Sequence, residues 1–175
     1  MRSLATGLTA ITLLAVAPSL AQAQHPVELG LDASLAISLD EPRVTTLAIP
    51  FQRFRVGIFT SPTHSYEPWL AVNLIAVQGG GNLSTINLGL GVLFHLSPDR
   101  TRTQAYVRPF AGLTTLSGGG DSETDPQLGI GVGFKTPWTN RRLATRIEPF
   151  LQHTFGDPED FTSIGVLFGL SFFTR

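Results

Sequence analysis

The chain has 175 residues, of which 42% are hydrophobic and 14% are charged, with a formal net charge of −1 and no cysteine. This length is typical of one domain, and the absence of cysteine excludes a scaffold stabilised by disulfides. The charge balance is close to neutral and there is no basic stripe, so the composition gives no support for nucleic-acid binding.

The first residues have the three parts of a secretory signal peptide. Arg2 supplies the charged region, residues 8–16 are mostly apolar, and residues 21–23 (Ala-Gln-Ala) match a small-x-small cleavage site. We therefore predict a signal peptide over residues 1–23 and a single domain over residues 24–175. The apolar stretch is too short for a membrane helix, which needs about 20 apolar residues. An exported domain without disulfides needs another source of stability, and closing a sheet on itself is one, because it pairs every strand edge.

From residue 27 onward, apolar residues occupy every second position. In the first segment they are Val27, Leu29, Leu31, Ala33, Leu35, Ile37 and Leu39. The residues between them are polar or small and include Glu28 and Asp32. Successive side chains of a strand point to opposite faces, so the pattern predicts a strand with one apolar and one polar face. A soluble barrel buries the apolar face, whereas a transmembrane barrel exposes it to lipid.

The second segment changes phase partway along. After a turn predicted at residues 40–43, its apolar residues lie first at odd positions, 47 to 51, and then at even positions, 54 to 58. An extra residue in a strand moves the alternation to the other face, so we predict a β-bulge near residues 50–52. Residues 61–64 (Ser-Pro-Thr-His) predict the next turn.

Six further segments alternate in the same way. Their apolar positions are Tyr66, Leu70, Val72 and Leu74; Ile86, Leu88, Leu90, Val92, Phe94 and Leu96; Val107, Ala111 and Leu113; Leu128, Ile130, Val132 and Phe134; Ile147 and Leu151; and Ile164, Val166, Phe168, Leu170 and Phe172. Gly, Pro and polar clusters predict turns at residues 78–82, 97–102, 118–126, 136–140 and 156–160. The segment 118–126 is predicted as the longest and most polar loop.

Eight strands of about ten residues suit tilted membrane strands, and no helix is needed to connect any pair. The sequence therefore predicts an all-β fold, an eight-stranded antiparallel up-and-down transmembrane β-barrel. The connections add a second signal, because acidic and basic residues fall on alternate ones and hence at opposite ends of the barrel. The acidic set is Asp40, Glu41, Asp121, Glu123, Asp125, Asp157, Glu159 and Asp160, and the basic set is His64, Arg100, Arg102, Arg141 and Arg142.

Together these features resemble the small eight-stranded outer-membrane barrels of Gram-negative bacteria, of the outer-membrane protein A and X type. The resemblance covers the signal peptide, the alternating strands, the short turns and the last strand, residues 163–173. In that family the last strand ends in an aromatic residue and directs the chain to the barrel assembly machinery. Here Phe172 and Phe173 are followed by Thr174 and Arg175, so the aromatic residue is not terminal. The resemblance implies an outer-membrane, porin-like protein in contact with lipid, and it carries over no functional residue.

The predicted inward face carries many charges for an eight-stranded barrel. They are Arg53, Arg55, Glu67, Arg108, Lys135, Arg146 and Glu148. Buried charges have to be paired, and the interior of such a barrel is just wide enough for its own side chains. We predict a structural network that closes the lumen, formed by Glu67, Arg108, Glu148, Arg146, Lys135 and Arg55. A narrow polar pore or a small-ligand site is the functional alternative.

Three of these charges directly precede a proline. They are Glu67, Arg108 and Glu148, and all three lie on strands that run in the same direction. The spacing predicts that Arg108 is paired with Glu148, Glu67 or both. Proline removes a hydrogen bond from the ladder, so we also predict local bulges at Pro68, Pro109 and Pro149.

Other motifs carry less weight. His64, Ser65 and Glu67 are the residue types of a hydrolase triad, but neighbours in a strand point to opposite faces, so His64 and Ser65 do not share a proton. His95 and His153 lack partners at metal-ligand spacing, and no metal or cofactor is predicted. The alternating glycines of residues 129–133 have no following helix, so they do not form a nucleotide loop; instead they make room for large inward side chains.

The sequence thus predicts a non-enzymatic outer-membrane barrel with a structural or surface-interaction role. The alternative is a soluble periplasmic or secreted barrel, lipocalin-like, that binds a small apolar ligand in its lumen. The two predict opposite positions for Leu29, Leu90, Val132 and Phe168, which face lipid in the first and line a cavity in the second. An enzyme that acts on lipid is a third, more distant hypothesis. The sequence does not identify an extracellular partner.

Overall fold

The computed structural model of the chain describes residues 26–40, 45–75, 83–118, 121–139, 142–156 and 160–174. In it eight strands form a closed barrel, in which each strand pairs in antiparallel fashion with its neighbours in sequence and the last strand pairs with the first. The strands are β1 (Val27–Ser38), β2 (Thr45–Phe59), β3 (His64–Ile75), β4 (Leu83–His95), β5 (Gln104–Gly118), β6 (Asp121–Pro137), β7 (Leu143–Thr154) and β8 (Phe161–Phe173). This confirms the predicted fold class. Over the described ranges, no helix is both long and apolar enough to cross a membrane.

The apolar face of the sheet points out of the barrel and the polar face points in. The four residues that distinguish the two sequence hypotheses are all on the outside, with Leu29 40%, Leu90 48%, Val132 49% and Phe168 49% exposed. The lipocalin-like alternative is therefore wrong about the lumen, because these side chains do not line a cavity. A belt of exposed leucine, isoleucine, valine and phenylalanine on a polar-filled barrel is the arrangement of a protein whose outer surface is in lipid.

The phase change in β2 coincides with a shift of register against β1. Asp32 lies opposite Arg53, whereas Ser34, two residues further along β1, lies opposite Ala48. The β2 strand therefore has three more residues than β1 between these two pairs. An odd number of extra residues moves the side chains to the other face, which is the effect expected of the phase change in the sequence. The irregularity lies where the bulge is predicted, although it is larger than one residue.

Each of the three prolines interrupts the pairing of its strand with one neighbouring strand. The register of the two strands is the same on both sides of the gap. Pro68 pairs with Leu90 on β4 but has no partner on β2, and the pairs on both sides of the gap keep one register. Pro109 and Pro149 likewise pair on one side and leave a gap on the other. The prediction of bulges at the prolines is therefore wrong. Each proline lacks one N–H, so it removes hydrogen bonds from one ladder while its carbonyl and its position in the strand are kept.

The predicted loop over residues 118–126 is also wrong, because β5 and β6 continue as a hairpin through most of it. Thr115 and Thr124 hydroxyls are 3.0 Å apart and those of Ser117 and Ser122 are 3.1 Å apart, so polar pairs replace apolar ones on this face. The hairpin extends beyond the pairing of β6 with β7, which begins at Gln127. Strands of 12 to 17 residues are accordingly longer than the ten predicted. The predicted signal peptide, the turn at residues 78–82, Glu41, Arg141, Asp157 and Glu159 lie outside the described residues.

Candidate functional site

The candidate site is the charged interior of the barrel. The structure places all six residues of the predicted network on the inward face, each between 0% and 2% exposed. They come from five strands: Arg55 from β2, Glu67 from β3, Arg108 from β5, Lys135 from β6, and Arg146 and Glu148 from β7. Every one of them lies in the half of the barrel nearest the ends joined by the β2–β3, β4–β5 and β6–β7 turns. We call these the turn end, and the opposite end, joined by the other connections, the loop end.

Arg108 and Glu148 form the closest pair between β5 and β7. The Nε atom of Arg108 donates to Oε1 of Glu148 at 2.8 Å, and its Nη2 atom donates to the same oxygen at 2.5 Å. The other oxygen of Glu148 accepts the Tyr106 hydroxyl at 2.6 Å and an additional contact from Arg146. A carboxylate with this number of donors is stable in its charged form inside a protein.

Glu67 connects this pair to the rest of the interior. Its Oε2 atom accepts from Nη1 of Arg146 at 2.6 Å and from Nη1 of Arg55 at 3.3 Å. Its Oε1 atom is 3.9 Å from Nε of Arg108, which is an ion pair without a hydrogen bond. Arg108 therefore lies between Glu67 and Glu148 and binds Glu148 more closely.

Two acidic residues of this cluster, Glu28 and Asp32 on β1, were not in the set predicted from the sequence. Glu28 forms ion pairs with Arg55 and with Lys135, the latter at 2.6 Å. Asp32 accepts from Nε of Arg55 at 3.0 Å. Both residues are on the polar parity of β1, so the alternation alone marks them as inward. With them, the buried charges of the described barrel interior are four carboxylates and four cations: Glu28, Asp32, Glu67 and Glu148 against Arg55, Arg108, Lys135 and Arg146.

Inward glycines leave the space that these long side chains occupy. Arg108 reaches Glu148 across β6, and the intervening position on that strand is Gly131. A Cβ atom at Gly131 would lie 2.7 Å from Cδ of Glu148. At Gly133, Gly30 and Gly169 an added Cβ would meet Tyr106, Arg55 and Asp32, respectively. The glycines are therefore required by the close approach of neighbouring side chains to the backbone.

Aromatic side chains close the lumen at the turn end. Phe59 stacks on His95 with ring centroids 5.4 Å apart, and His95 lies 5.8 Å from the Tyr106 ring. Arg100 covers Phe59 from outside, with its guanidinium carbon 3.8 Å from the ring centroid. Phe59 and Tyr106 are at most 1% exposed. Aromatic rings therefore fill the lumen between the ion pairs and the turn end.

The residues of the possible hydrolase triad are separated in the structure. His64 is exposed and hydrogen-bonds Ser61 and Thr63 in its own turn. Ser65 points inward, and its hydroxyl lies 3.2 Å from Nε2 of His95, a pair that the sequence did not reveal because it joins β3 and β4. The Nδ1 atom of His95 has no hydrogen-bond partner among the described residues, so no acid orients this histidine. Both side chains are at most 4% exposed, which leaves a substrate no direct access to them.

The loop end carries carboxylates on the described residues. Glu123 lies on the β5–β6 hairpin and is exposed, and Asp125 on the same hairpin is half-buried. Asp40 accepts from the backbone N–H of Thr162 at 2.5 Å, and Asp160 accepts from that of Gly156 at 3.1 Å. His153 is also at this end. Among the described residues, no group of three or more His, Cys, Asp or Glu is arranged to hold a metal ion.

Comparison with known proteins gives likeness in structure only. No family model and no curated protein matches the sequence. The chain is similar to the crystal structure of Neisserial surface protein A, with a TM-score of 0.65, 12% identity, and coverage of 83% of this chain and 96% of that one. It is also similar to Ail, the attachment invasion locus protein of Yersinia pestis, with a TM-score of 0.52, 11% identity, and coverage of 86% and 99%.

A second structure of Ail, in complex with the heparin analogue sucrose octasulfate, has a TM-score of 0.51 and 9% identity, and the coverage is again 86% and 99%. At these identities the likeness establishes the fold. The chain has the fold of the small eight-stranded outer-membrane barrels, and the resemblance predicted from the sequence is confirmed at that level.

Proposed function

We propose that this protein is a non-enzymatic barrel of the bacterial outer membrane, with a closed lumen and a structural or surface-interaction role. One observation carries the proposal: the wall is apolar outside and charged inside. Inward charges such as Arg55, Arg108 and Glu148 are 0% exposed, while mid-strand residues such as Leu90 and Val132 are nearly half exposed. Exposure of a continuous apolar belt of this kind to water is unfavourable, whereas its contact with the hydrocarbon of a bilayer is favourable.

The closed lumen supports a structural rather than a transport role. Ion pairs fill the half of the lumen nearest the turn end, and the rings of Phe59, His95 and Tyr106 close that end. An eight-stranded barrel has room for its own side chains and little else. We propose that the network of Glu67, Arg108, Glu148, Arg146, Lys135 and Arg55 holds the wall strands in register across the lumen.

The absence of an enzymatic role is part of the same proposal. Among the described residues, hydroxyl groups meet an imidazole at His64, at His153 and at His95. The pair of Ser65 with His95 is the buried one, and its surroundings argue against a nucleophile and a base. The histidine lacks an orienting acid, and the aromatic rings cover it. Activation of a serine needs an oriented base and an accessible hydroxyl.

A surface role is assigned to the loop end. The similarity to Ail, whose name refers to attachment, makes surface contact a natural role for this fold, but the ligand class differs. Sucrose octasulfate is a polyanion, and the described loop end of this chain carries the carboxylates of Asp40, Glu123, Asp125 and Asp160. Like charges repel, so we propose that cationic rather than sulfated partners are favoured there.

Delivery to the membrane completes the proposal. A signal peptide over residues 1–23 would export the chain, and the last strand would engage the barrel assembly machinery. In β8, Ile164, Phe168 and Phe172 all face outward, which is the alternation that such a strand needs. Outer-membrane lipid is then the partner of the whole apolar belt.

The experiment expresses the full chain in a Gram-negative host and separates inner and outer membranes. The protein is expected in the outer-membrane fraction after an alkaline carbonate wash, with its first 23 residues removed, and to migrate differently in gels before and after boiling. Recovery of the folded protein in the soluble periplasmic fraction would contradict the proposal. A separate assay tests the absence of enzymatic activity. Release of fatty acid from lipopolysaccharide by the purified protein would contradict that part of the proposal alone.

A further inference from the structure

On the loop side of the ion-pair network, the lumen contains buried hydrogen-bond donors that have no acceptor. They are Nε1 of Trp69, Nε2 of Gln127, and the Nε and Nη2 atoms of Arg53. Trp69 is 5% exposed and Gln127 is 1% exposed. A buried donor without an acceptor is destabilising by roughly 1 to 3 kcal/mol, and native proteins rarely leave several in one place. Three side chains that share this deficiency point to an acceptor that binds among them.

The register of the barrel brings these donors to one place. Trp69 pairs with Gly89, Gly89 pairs with Gly112, and Gly112 pairs with Gln127, so the four positions form one row across β3 to β6. A Cβ atom at Gly89 would lie 2.6 Å from Cε2 of Trp69, the atom bonded to Nε1. A Cβ atom at Gly112 would lie 2.9 Å from Nε2 of Gln127. The indole and amide donors therefore lie over a pair of glycines.

Arg53 adds a positive charge at the same place. Its guanidinium carbon is 3.8 Å from the centroid of the Trp69 ring and 6.0 Å from that of Phe110. Among the described residues it takes part in no ion pair and no hydrogen bond. The eight buried charges of the described interior are balanced four against four, so Arg53 is a cation beyond that balance. Asp32 lies opposite Arg53, but its carboxylate hydrogen-bonds Arg55. A cation and two neutral donors that lack a bound acceptor among the described residues have the chemistry of an anion site.

We propose that the interior over Gly89 and Gly112 binds one small anion, such as chloride, held by Arg53, Trp69 and Gln127. The anion accepts hydrogen bonds from the indole and the amide and neutralises the guanidinium. The site lies on the loop side of the ion-pair network and uses none of its six residues. The inference is independent of any surface partner, and it requires only that the barrel fold as described.

Trp69 is a built-in reporter for this site, because the chain has two tryptophans and the other, Trp138, is 48% exposed outside the lumen. The full mature chain, folded in nonionic detergent and labelled with ¹⁵N, is titrated with chloride in exchange for a bulky buffer sulfonate at constant ionic strength. The indole N–H resonance of Trp69 is expected to shift saturably, while that of Trp138 stays in place. A shift of both resonances in proportion to chloride, or of neither, would overturn the proposal.

Two variants and a control identify the cation. Arg53→Gln is expected to weaken chloride binding at least tenfold, and Gln127→Leu to weaken it less. Arg102→Gln removes an exposed cation at the opposite end and is expected to leave the titration unchanged. If Arg53→Gln does not fold, Arg53→Lys provides the measurement, since it keeps the charge and is expected to retain a weaker saturable shift. An unchanged chloride affinity in Arg53→Gln would show that Arg53 does not bind the anion. Chloride binding that is seen only after a loop-end carboxylate is removed, in Asp125→Asn, would show that the native barrel does not bind it.

Discussion

The substitution of Arg108 by Met should destabilise the barrel through the carboxylate that it leaves behind. Arg108 supplies both hydrogen bonds to Oε1 of Glu148, at 2.8 and 2.5 Å, while Oε2 keeps its contacts with Tyr106 and Arg146. Deleting one partner of a buried ion pair is destabilising by about 3 to 5 kcal/mol. The lower end of that range, about 3 kcal/mol, applies here because Glu148 keeps one of its two cations.

A double-mutant cycle separates the pair from general damage to the interior. Adding Glu148→Gln to Arg108→Met removes the uncompensated charge, so the double variant should be more stable than the sum of the two single losses. We expect a coupling free energy of about 1 to 3 kcal/mol, the range for residues in direct contact. The assay is reversible urea unfolding in lipid vesicles, followed by tryptophan fluorescence and by the fraction of protein that migrates as the folded band.

An exposed arginine at the turn end provides the matched control for this test. Arg102→Met removes an arginine whose side chain is 86% exposed at the turn end, and its effect on the free energy of unfolding should stay within about 0.5 kcal/mol. If the effects of Arg108→Met and Glu148→Gln on the free energy of unfolding add to within about 0.5 kcal/mol, the two side chains do not interact. Substitutions of residues that do not touch are additive to that extent, so this result would refute the predicted pair.

Three further predictions address the wall, the glycines and the lumen. Leu90→Arg should destabilise the folded barrel by roughly 2 to 4 kcal/mol in vesicles, because it places a charge near the bilayer midplane, and a variant as stable as the parent would argue against lipid contact there. Gly131→Ala should destabilise by about 1 to 3 kcal/mol, because its Cβ would lie 2.7 Å from Cδ of Glu148, and Gly131→Ala in a Glu148→Ala background should recover part of that loss. In planar bilayers the protein should show no large, steady single-channel current, since side chains fill the interior; such a current would contradict the closed lumen.

The direction of each side chain in the barrel wall is well predicted from the sequence, because it depends only on the alternation of residues along its own strand. Alternation of apolar and polar residues determines which face each side chain takes, and it places Leu90, Val132 and Phe168 outside without knowledge of any partner strand. The phase change in β2 is predicted for the same reason. For residues 118–126 the sequence predicts a loop, whereas residues 121–126 belong to β6. The cross-strand threonine and serine pairs that support this extension form only once β5 and β6 are in register.

The interior is less predictable, since its contacts join strands that are far apart in sequence. Arg108 and Glu148 are 40 residues apart and meet only because Gly131 on the intervening strand has no side chain. The pair of Ser65 with His95 depends on β3 and β4 in the same way. Glu28 and Asp32 could have been included from their parity alone, and the balance of four carboxylates against four cations gives the physical reason for their presence.

The most direct test of the inside-out wall uses the fact that the chain has no cysteine. Single cysteines placed along β6 carry a nitroxide spin label in protein reconstituted into vesicles, and the collision rates of the label with oxygen and with a water-soluble nickel complex are measured. The labelled positions are Gln127, Leu128, Ile130, Val132, Phe134 and Lys135. We expect high oxygen and low nickel accessibility at the four apolar positions, and low oxygen accessibility at Gln127 and Lys135. High nickel accessibility at Leu128, Ile130 and Val132, or no alternation at all, would contradict it.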